Sequence, residues 1–360
     1  APDALTTPEG KLKTKTPPPA VQAPAPLAAS DGSTADAAAE GVPPEESDGA
    51  SMSVAPTGPL TDAQREIFWG SEDDQSPEVL NAVKKENYDT HFLYSDELHQ
   101  YLLAEKIEGI GGGYIGVGTD QGWLFMGWQR PSLAWLADYD AWVVAMQWSY
   151  LAFFETSATP QEFIEKWSKE SKKSSRALLK ERFASHPDSA LILRVFDHAR
   201  HLVAYRLRRI VRMGKNRRPT FLTDDAQYQF LRTMVKEGRV RPLIGNLLAD
   251  KGYREISAAA TKLGVPIRHL YISNAEDYWR YPDTFRMNMR SLPGDEMSIV
   301  SRTRASKHTN NDYRYMQQHL ENFNRWLRSD IKRSRDMWKN RPIKEDEIPY
   351  TWFTKEPPVE

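Results

Sequence analysis

The chain has 360 residues, room for one large domain or two small ones, and 40% of them are apolar, enough to bury a sizeable core. A formal net charge of −1 sets up no global field toward nucleic acid or an anionic membrane. The absence of cysteine excludes disulfides, thiolate metal sites and a cysteine nucleophile, and no apolar run is long enough to span a bilayer.

Residues 1–60 form a Pro/Ala-rich stretch without aromatics, including "PPPAVQAPAPLAA". Such a composition cannot build a core, and a disordered tether is expected. The chain starts at Ala1. That start fits a protein exported or lipid-anchored after removal of a leader, as in a lipoprotein, with a cytoplasmic protein as the alternative. A helical lead-in is expected over 61–104. Thr61 is its first cap, and Ser76 with Pro77 and Ser95 with Asp96 are further helix starts in "SPEVLNAVKKENY" and "SDELHQYLLAEKI".

Over 105–306 short apolar runs alternate with helical patterns. "GGYIGVG" and "SLAWLAD" read as strands buried on both faces, and "AWVVAMQWSYLAFFE" as a buried helix. A helical insertion spans about 160–218, with one helix from Pro160 through "ALLKERF" and a second, long one over "DSALILRVFDHARHLVAYRLRRIVRM". "RVRPLIGN", "PIRHLYIS" and "DEMSIVSRT" then read as strands, separated by helices over "GYREISAAATKLG" and "YPDTFRMNMRSL". Residues 307–360 are expected to be a C-terminal helix and tail packed on the domain, with one amphipathic helix over "DYRYMQQHLENFNRWLRSDIKRSRDMW". The order predicts an α/β, doubly wound, mostly parallel Rossmann-like sheet with a helical lead-in and a helical insertion. In such sheets ligands bind beyond the carboxyl ends of the strands, at the point where strand order reverses.

The residues after each strand are therefore the candidates. The first strand ends in "GVGTDQ", where Gly116 and Gly118 permit a tight turn and close approach of a ligand, followed by Asp120 and Gln121. Asp138 ends the second strand about twenty residues after Gly118, the spacing at which an acid receives a ribose diol; capping of the helix from Ala141 is the other reading. Asn246 ends the third strand. Ser273, Asn274, Glu276 and Asp277 follow the fourth. A bound small molecule in this cleft is expected.

"YIGVGTDQ" at 114–121, "LADYD" at 136–140, "YLAFFETSATPQEF" at 150–163, "PLIGNLLA" at 242–249 and "YISNAEDYW" at 271–279 occur in one order. In these blocks the chain resembles a family of bacterial proteins without assigned function that have a methyltransferase-like Rossmann fold. The resemblance covers roughly residues 85–330. It implies S-adenosylmethionine as cofactor, with Gly116, Gly118, Asp120 and Gln121 against its methionine part, Asp138 on its ribose and Asn246 near its adenine. Ser273 and Asn274 would face the sulfonium, and Glu276 would take a proton where one must leave. Two positions depart from methyltransferases. Tyr114 stands where an acid usually precedes the glycines, and Asp120 stands where a third glycine usually follows. The function expected is transfer of a methyl group to an unknown acceptor. The alternative is a non-catalytic binding protein of the cell envelope that retains the fold.

Other features point to structure. Arg200, Arg206, Arg208, Arg209, Arg212, Lys215, Arg217 and Arg218 cluster on the long helix, as phosphate contacts or as a solvated face. The balanced net charge favours the solvated face, so nucleic acid is not an expected partner. His198 and His201 lie three apart beside Asp197, without further residues at ligand spacing, so no metal is expected. There is neither a G-x-S-x-G elbow nor a P-loop. Trp123, Trp128, Trp135, Trp142 and Trp148 are expected in the core.

Overall fold

The computed structural model describes residues 55–80, 89–305, 313–338, 343–344 and 347–358. The expected tether, up to residue 54, and most of the helix expected after Ser76 lie outside these residues.

Helix α1 (Asp62–Gly70) starts in a capping box: the Thr61 hydroxyl accepts from the Gln64 N–H, and Gln64 accepts in return from Thr61. Its Phe68 and Trp69 are buried, and the Trp69 indole donates to the Gly238 carbonyl at 2.9 Å. The second expected lead-in helix begins later than Ser95. A 3-10 turn covers Gln100–Leu103, and α2 follows over Ala104–Ile107. Ser95 and Glu97 are drawn instead into buried hydrogen bonds near Asp120.

The chain then alternates through β1 (Gly113–Gly116), α3 (Asp120–Gln129), β2 (Leu133–Asp138) and α4 (Ala141–Thr156). Every residue of β1 and β2 is buried, as apolar runs without alternation require. After α4 come α5 (Pro160–Glu165) and α6 (Lys172–Arg182), so the single helix expected from Pro160 is broken in two. Serines explain the break. Ser168 and Ser171 both donate to the Glu165 carboxylate, at 2.7 and 2.9 Å, and Ser175 donates to the Lys166 carbonyl at 2.7 Å. Such local bonds compete with helix propagation. Trp167 is buried at the bend.

The long helix α7 (Ser189–Asn216) is as expected. The sequence reading missed α8 (Asp225–Lys236), although Asp224 caps it by accepting from the Gln227 N–H. Next come β3 (Val240–Ile244), α9 (Gly252–Lys262), β4 (Ile267–Tyr271), α10 (Asp283–Ser291) and β5 (Ile299–Ala305). Pro242 is tolerated in β3 because β3 is an edge strand.

The tail corrects a second expectation. Residues 312–338 do not make one amphipathic helix. They form β6 (Tyr313–His319), α11 (Leu320–Arg328) and the short α12 (Ser334–Met337). β6 lies antiparallel on β5, with Ser301 opposite Gln317 and Thr303 opposite Tyr315. Burial of Tyr315, Met316 and Gln317 overrides the helical period read from the sequence. A last strand, β7 (Tyr350–Trp352), pairs parallel to β6.

The sheet has seven strands in the order β3-β2-β1-β4-β5-β6-β7, and β1 to β5 are mutually parallel. The strand order reverses between β1 and β4. Helices α3, α4, α7 and α8 pack with one another, as do α1, α9, α10 and α11. The result is a mixed, mostly parallel α/β sheet, consistent with a Rossmann-like fold. Of the five tryptophans expected in the core, four are buried and Trp142 is partly so. Among the described residues no helix is long and apolar enough to cross a membrane.

Candidate functional site

A cavity of about 370 Å³ opens at the carboxyl ends of β1 to β4. Gly118, Gln121, Asp138, Asn246, Ser273 and Asn274 all line it. Residues spread over more than 150 positions of sequence thus meet at one edge, because parallel strands carry their carboxyl ends to the same side.

The turn after β1 is held from three directions. Gly118 has φ +90°, a backbone conformation that side chains disfavour, and an added Cβ would lie 2.1 Å from the Gln121 amide nitrogen. The Gly118 N–H donates to Asp138 Oδ2 at 2.8 Å. The Gln147 amide of α4 donates to the Gly118 and Thr119 carbonyls, at 2.8 and 3.0 Å, while accepting from the Trp123 indole at 2.8 Å. Gly116 serves a different purpose from the one expected. It does not line the cavity; the space beside its Cα holds the Tyr114 hydroxyl, 1.9 Å from where a Cβ would stand. The tyrosine in place of the usual acid and this glycine are therefore one packing device.

Asp138 is not the cap of α4. That role falls to Asp140, which accepts from the Trp142 N–H at 2.8 Å. The second oxygen of Asp138 accepts from the Asp140 N–H at 3.0 Å. Burial, and then the neighbouring Asp140 charge, push the Asp138 carboxyl up to about 7 against the bonds from backbone N–H groups. Asp140 is raised too, chiefly by burial. His91 contacts it through Nδ1 at 2.9 Å and stacks on Trp142 with ring centres 4.1 Å apart.

On the β3 side, the Asn246 N–H donates to Asp74 Oδ2 at 2.8 Å, and the Asn246 side-chain oxygen accepts from the Leu248 N–H at 2.9 Å. The other oxygen of Asp74 accepts from the Gly252 N–H, so the lead-in both fixes Asn246 and starts α9. On the β4 side, Ser273 has φ +50°, unusual for a residue with a Cβ. Its hydroxyl lies 3.3 Å from Glu97.

Two expected site residues face elsewhere. Asp120 is fully buried beneath the turn and does not line the cavity; Arg206 Nε reaches it at 2.6 Å and the Ser95 N–H at 2.8 Å. It forms an ion pair with α7 instead of leaving room for, or meeting, a cofactor. Glu276 is 1% exposed and turns into the protein. It sits 3.1 Å from Arg302 Nε and accepts from the Tyr281 hydroxyl at 2.7 Å. A carboxylate so enclosed cannot take a proton from a molecule in the cavity. Asp277 likewise pairs with Arg304, at 3.1 Å.

The sequence reading missed Glu97, the acid at the cavity floor. It accepts from Tyr271, from Thr303 at 2.8 Å and from Gln100 at 2.7 Å. Burial raises its pKa although these bonds oppose the shift. Arg206 donates to its backbone carbonyl at 3.1 Å. Nothing in "YSDELHQ" distinguishes this acid from an ordinary helix-start residue. Its distant partners, Tyr271 and Thr303, come from β4 and β5.

The described wall carries Asp96, Glu97, Asp138 and Asp140, and it includes no Lys, Arg or His. Apolar and aromatic side chains, among them Val117, Val143, Leu247, Tyr94, Tyr139 and Tyr278, supply the rest. The described wall thus offers carboxyl acceptors beside apolar and aromatic faces, and no described Lys, Arg or His in it would compensate the charge of a pyrophosphate.

The chain belongs to the family described as domain of unknown function DUF7790, whose model matches residues 92–348. That span holds the sheet from β1 to β6 and the strand-end residues named above. A search of the curated proteins finds no match to the chain.

Proposed function

We propose that the strand-end cavity binds S-adenosylmethionine and that the protein transfers its methyl group to an acceptor entering beside Ser273 and Asn274. The observation that carries this reading is the meeting of Gly118, Asp138, Asn246 and Ser273 around one cavity whose charged wall residues, among the described ones, are all acidic. The methyltransferase likeness of the sequence blocks points the same way.

The residues present fit such a cofactor. Asp138 accepts from the N–H groups of Gly118, Asp140 and Tyr139, and the remaining acceptor capacity of its carboxylate would serve a ribose diol. Leu247 and Leu248 next to Asn246, with Tyr139 and Val143, form an apolar slot for a base. The acidic wall complements a sulfonium and an ammonium. The cofactor's carboxylate would lie by the first turn of α3, where the N-cap Thr119 makes no side-chain capping bond. When bound, the cofactor supplies an electrophilic methyl group. The protein's part is to align the acceptor and exclude water. Ser273 and Asn274, which line the cavity, would orient the acceptor, and Glu97 lies 3.3 Å from the Ser273 hydroxyl.

A second reading, a non-catalytic binding protein that keeps the fold, is favoured by the enclosure of Glu276 with Arg302 and Tyr281. Calorimetry on the full chain separates the readings in steps. S-adenosylmethionine and its demethylated product should both bind. Asp138→Ala removes a charge-assisted hydrogen bond worth about 1.5–3 kcal/mol and should weaken both at least tenfold. Folded protein that gives no heat at millimolar ligand would exclude the cofactor reading. Binding without methyl loss in the presence of candidate acceptors would favour the non-catalytic one.

A further inference from the structure

Helix α7 presents an exposed seam to solvent. From His198 to Lys215 its exposed positions, at alternating spacings of three and four, are His198, His201, Tyr205, Arg208, Arg212 and Lys215. Arg194 extends the seam by one more turn. Residues spaced in this way lie on one face of a helix. The seam holds no acid. Asp197, beside it, is already paired with Arg176 at 2.8 Å and Lys172 at 3.7 Å. Of the basic residues in the same stretch, Arg206 is committed to Asp120 and Arg218 to Glu108. Among the described residues, Arg194, Arg208, Arg209, Arg212 and Lys215 have no carboxylate at ion-pair distance.

Aromatic rings are interleaved with these cations. Tyr205 is 49% exposed, and the guanidinium groups of Arg208 and Arg209 lie 6.0 and 5.9 Å from its ring centre. Arg217 lies 5.7 Å from the Tyr101 ring. The seam also passes close to the cavity. His198 packs edge-on against Trp142, whose N–H is held by the cavity residue Asp140.

We propose that the exposed seam of α7 is a docking surface for single-stranded nucleic acid. A chain with a net charge of −1 has no global attraction for a polyanion, so what matters is that unpaired cations are collected along one line. Arg208, Arg212 and Lys215 span about 10 Å of the seam at about 1.5 Å per residue, room for two or three phosphates, and Arg194 adds a further cation about 20 Å along it. Exposed Tyr205 offers a face on which a base stacks, with guanidinium groups beside it. A membrane fits less well. Tyr205 is the only large exposed apolar or aromatic residue described on this helix, and interfacial helices bury a broad apolar face in lipid. The proposal goes beyond the cofactor reading and does not depend on it.

The test is fluorescence anisotropy of the full chain with a labelled oligothymidine, and with an oligouridine, of about twenty nucleotides. Binding should weaken with salt, with a log–log slope of about −2 to −3 for three to four phosphate contacts. Arg208→Glu with Arg212→Glu should lower affinity tenfold or more and flatten the slope. Tyr205→Ala should lower affinity about fivefold or more. Lys180→Glu with Lys236→Glu changes net charge equally at exposed positions outside the seam and should bind like wild type, with all variants checked for folding by circular dichroism. Asp138→Ala should also bind the oligonucleotides normally, which separates failure here from failure at the cavity. Three results would overturn the proposal: no binding by wild type at low salt, equal losses in the seam and control variants, or binding to phosphatidylserine vesicles but not to oligonucleotides.

Discussion

Replacing Asp138 by Asn should change how the protein's stability depends on pH. The Asp138 carboxyl is held at about 7 against an ordinary 3.8, mainly because burial disfavours its charged form. Below pH 3.8 it is protonated in folded and unfolded chains alike, and its stabilising contribution relative to high pH is fully present. Between 3.8 and 7 the unfolded chain loses the proton while the folded chain keeps it, so stability falls as pH rises. Above 7 both forms are ionised and the whole cost stands. At 1.36 kcal/mol per unit the full cost is about 4 kcal/mol, of which about 2–3 kcal/mol falls between pH 5 and pH 8. Asn cannot ionise. It keeps one acceptor oxygen for the N–H groups of Gly118, Asp140 and Tyr139, and loses about 1 kcal/mol at every pH. Urea melts of both proteins at pH 5 and pH 8 isolate the term. Wild type should lose about 2–3 kcal/mol more than Asp138→Asn on going to pH 8. Equal losses would refute the assignment of a buried, uncompensated carboxyl to this position. A ligand whose hydroxyls donate to the ionised form should bind wild type more tightly above pH 7 than below, and the Asn variant without that trend.

Arg206→Met leaves Asp120 buried without its cation and should destabilise the fold by about 3–5 kcal/mol in urea melts, with Arg206→Met/Asp120→Leu recovering much of the loss. Gly118→Val forces a branched side chain into a backbone at φ +90° and against Gln121. It should cost about 1–3 kcal/mol and abolish cofactor heat in calorimetry. Glu276→Gln should leave cofactor affinity within about twofold of wild type, because the side chain faces Arg302 and Tyr281, and should show its effect as a lowered urea midpoint.

The strands of the sheet were legible because their cause is local. Runs such as "LAWLAD" and "GYIG" have only one economical fate, burial in a sheet covered on both faces. Once those runs are strands in alternation with helices, a parallel sheet follows. The strand-end positions then follow as well, so Gly118, Asp138, Asn246 and Ser273 could be named before their meeting was visible. The capping of α1 by Thr61 was equally local. Side-chain direction was not. Glu276 sits three residues after Ser273 on the same strand-end loop, yet Arg302 from β5 and Tyr281 draw it into the interior. Asp120 follows the glycine turn directly, and Arg206, 86 positions away, takes it out of the cavity. Glu97 looks like a helix-start acid until Tyr271 and Thr303 close around it. The tail turned from helix to strand because β5 offered an unpaired edge to Tyr313–His319. The sequence by itself determined which runs must be buried as parallel strands and where α1 starts, since hydrophobic period and capping act over a few residues. Only the tertiary structure decided which acids face the cavity and which are spent on buried arginines, because a charge takes its partner from whatever the fold brings within about 4 Å, however distant in the chain.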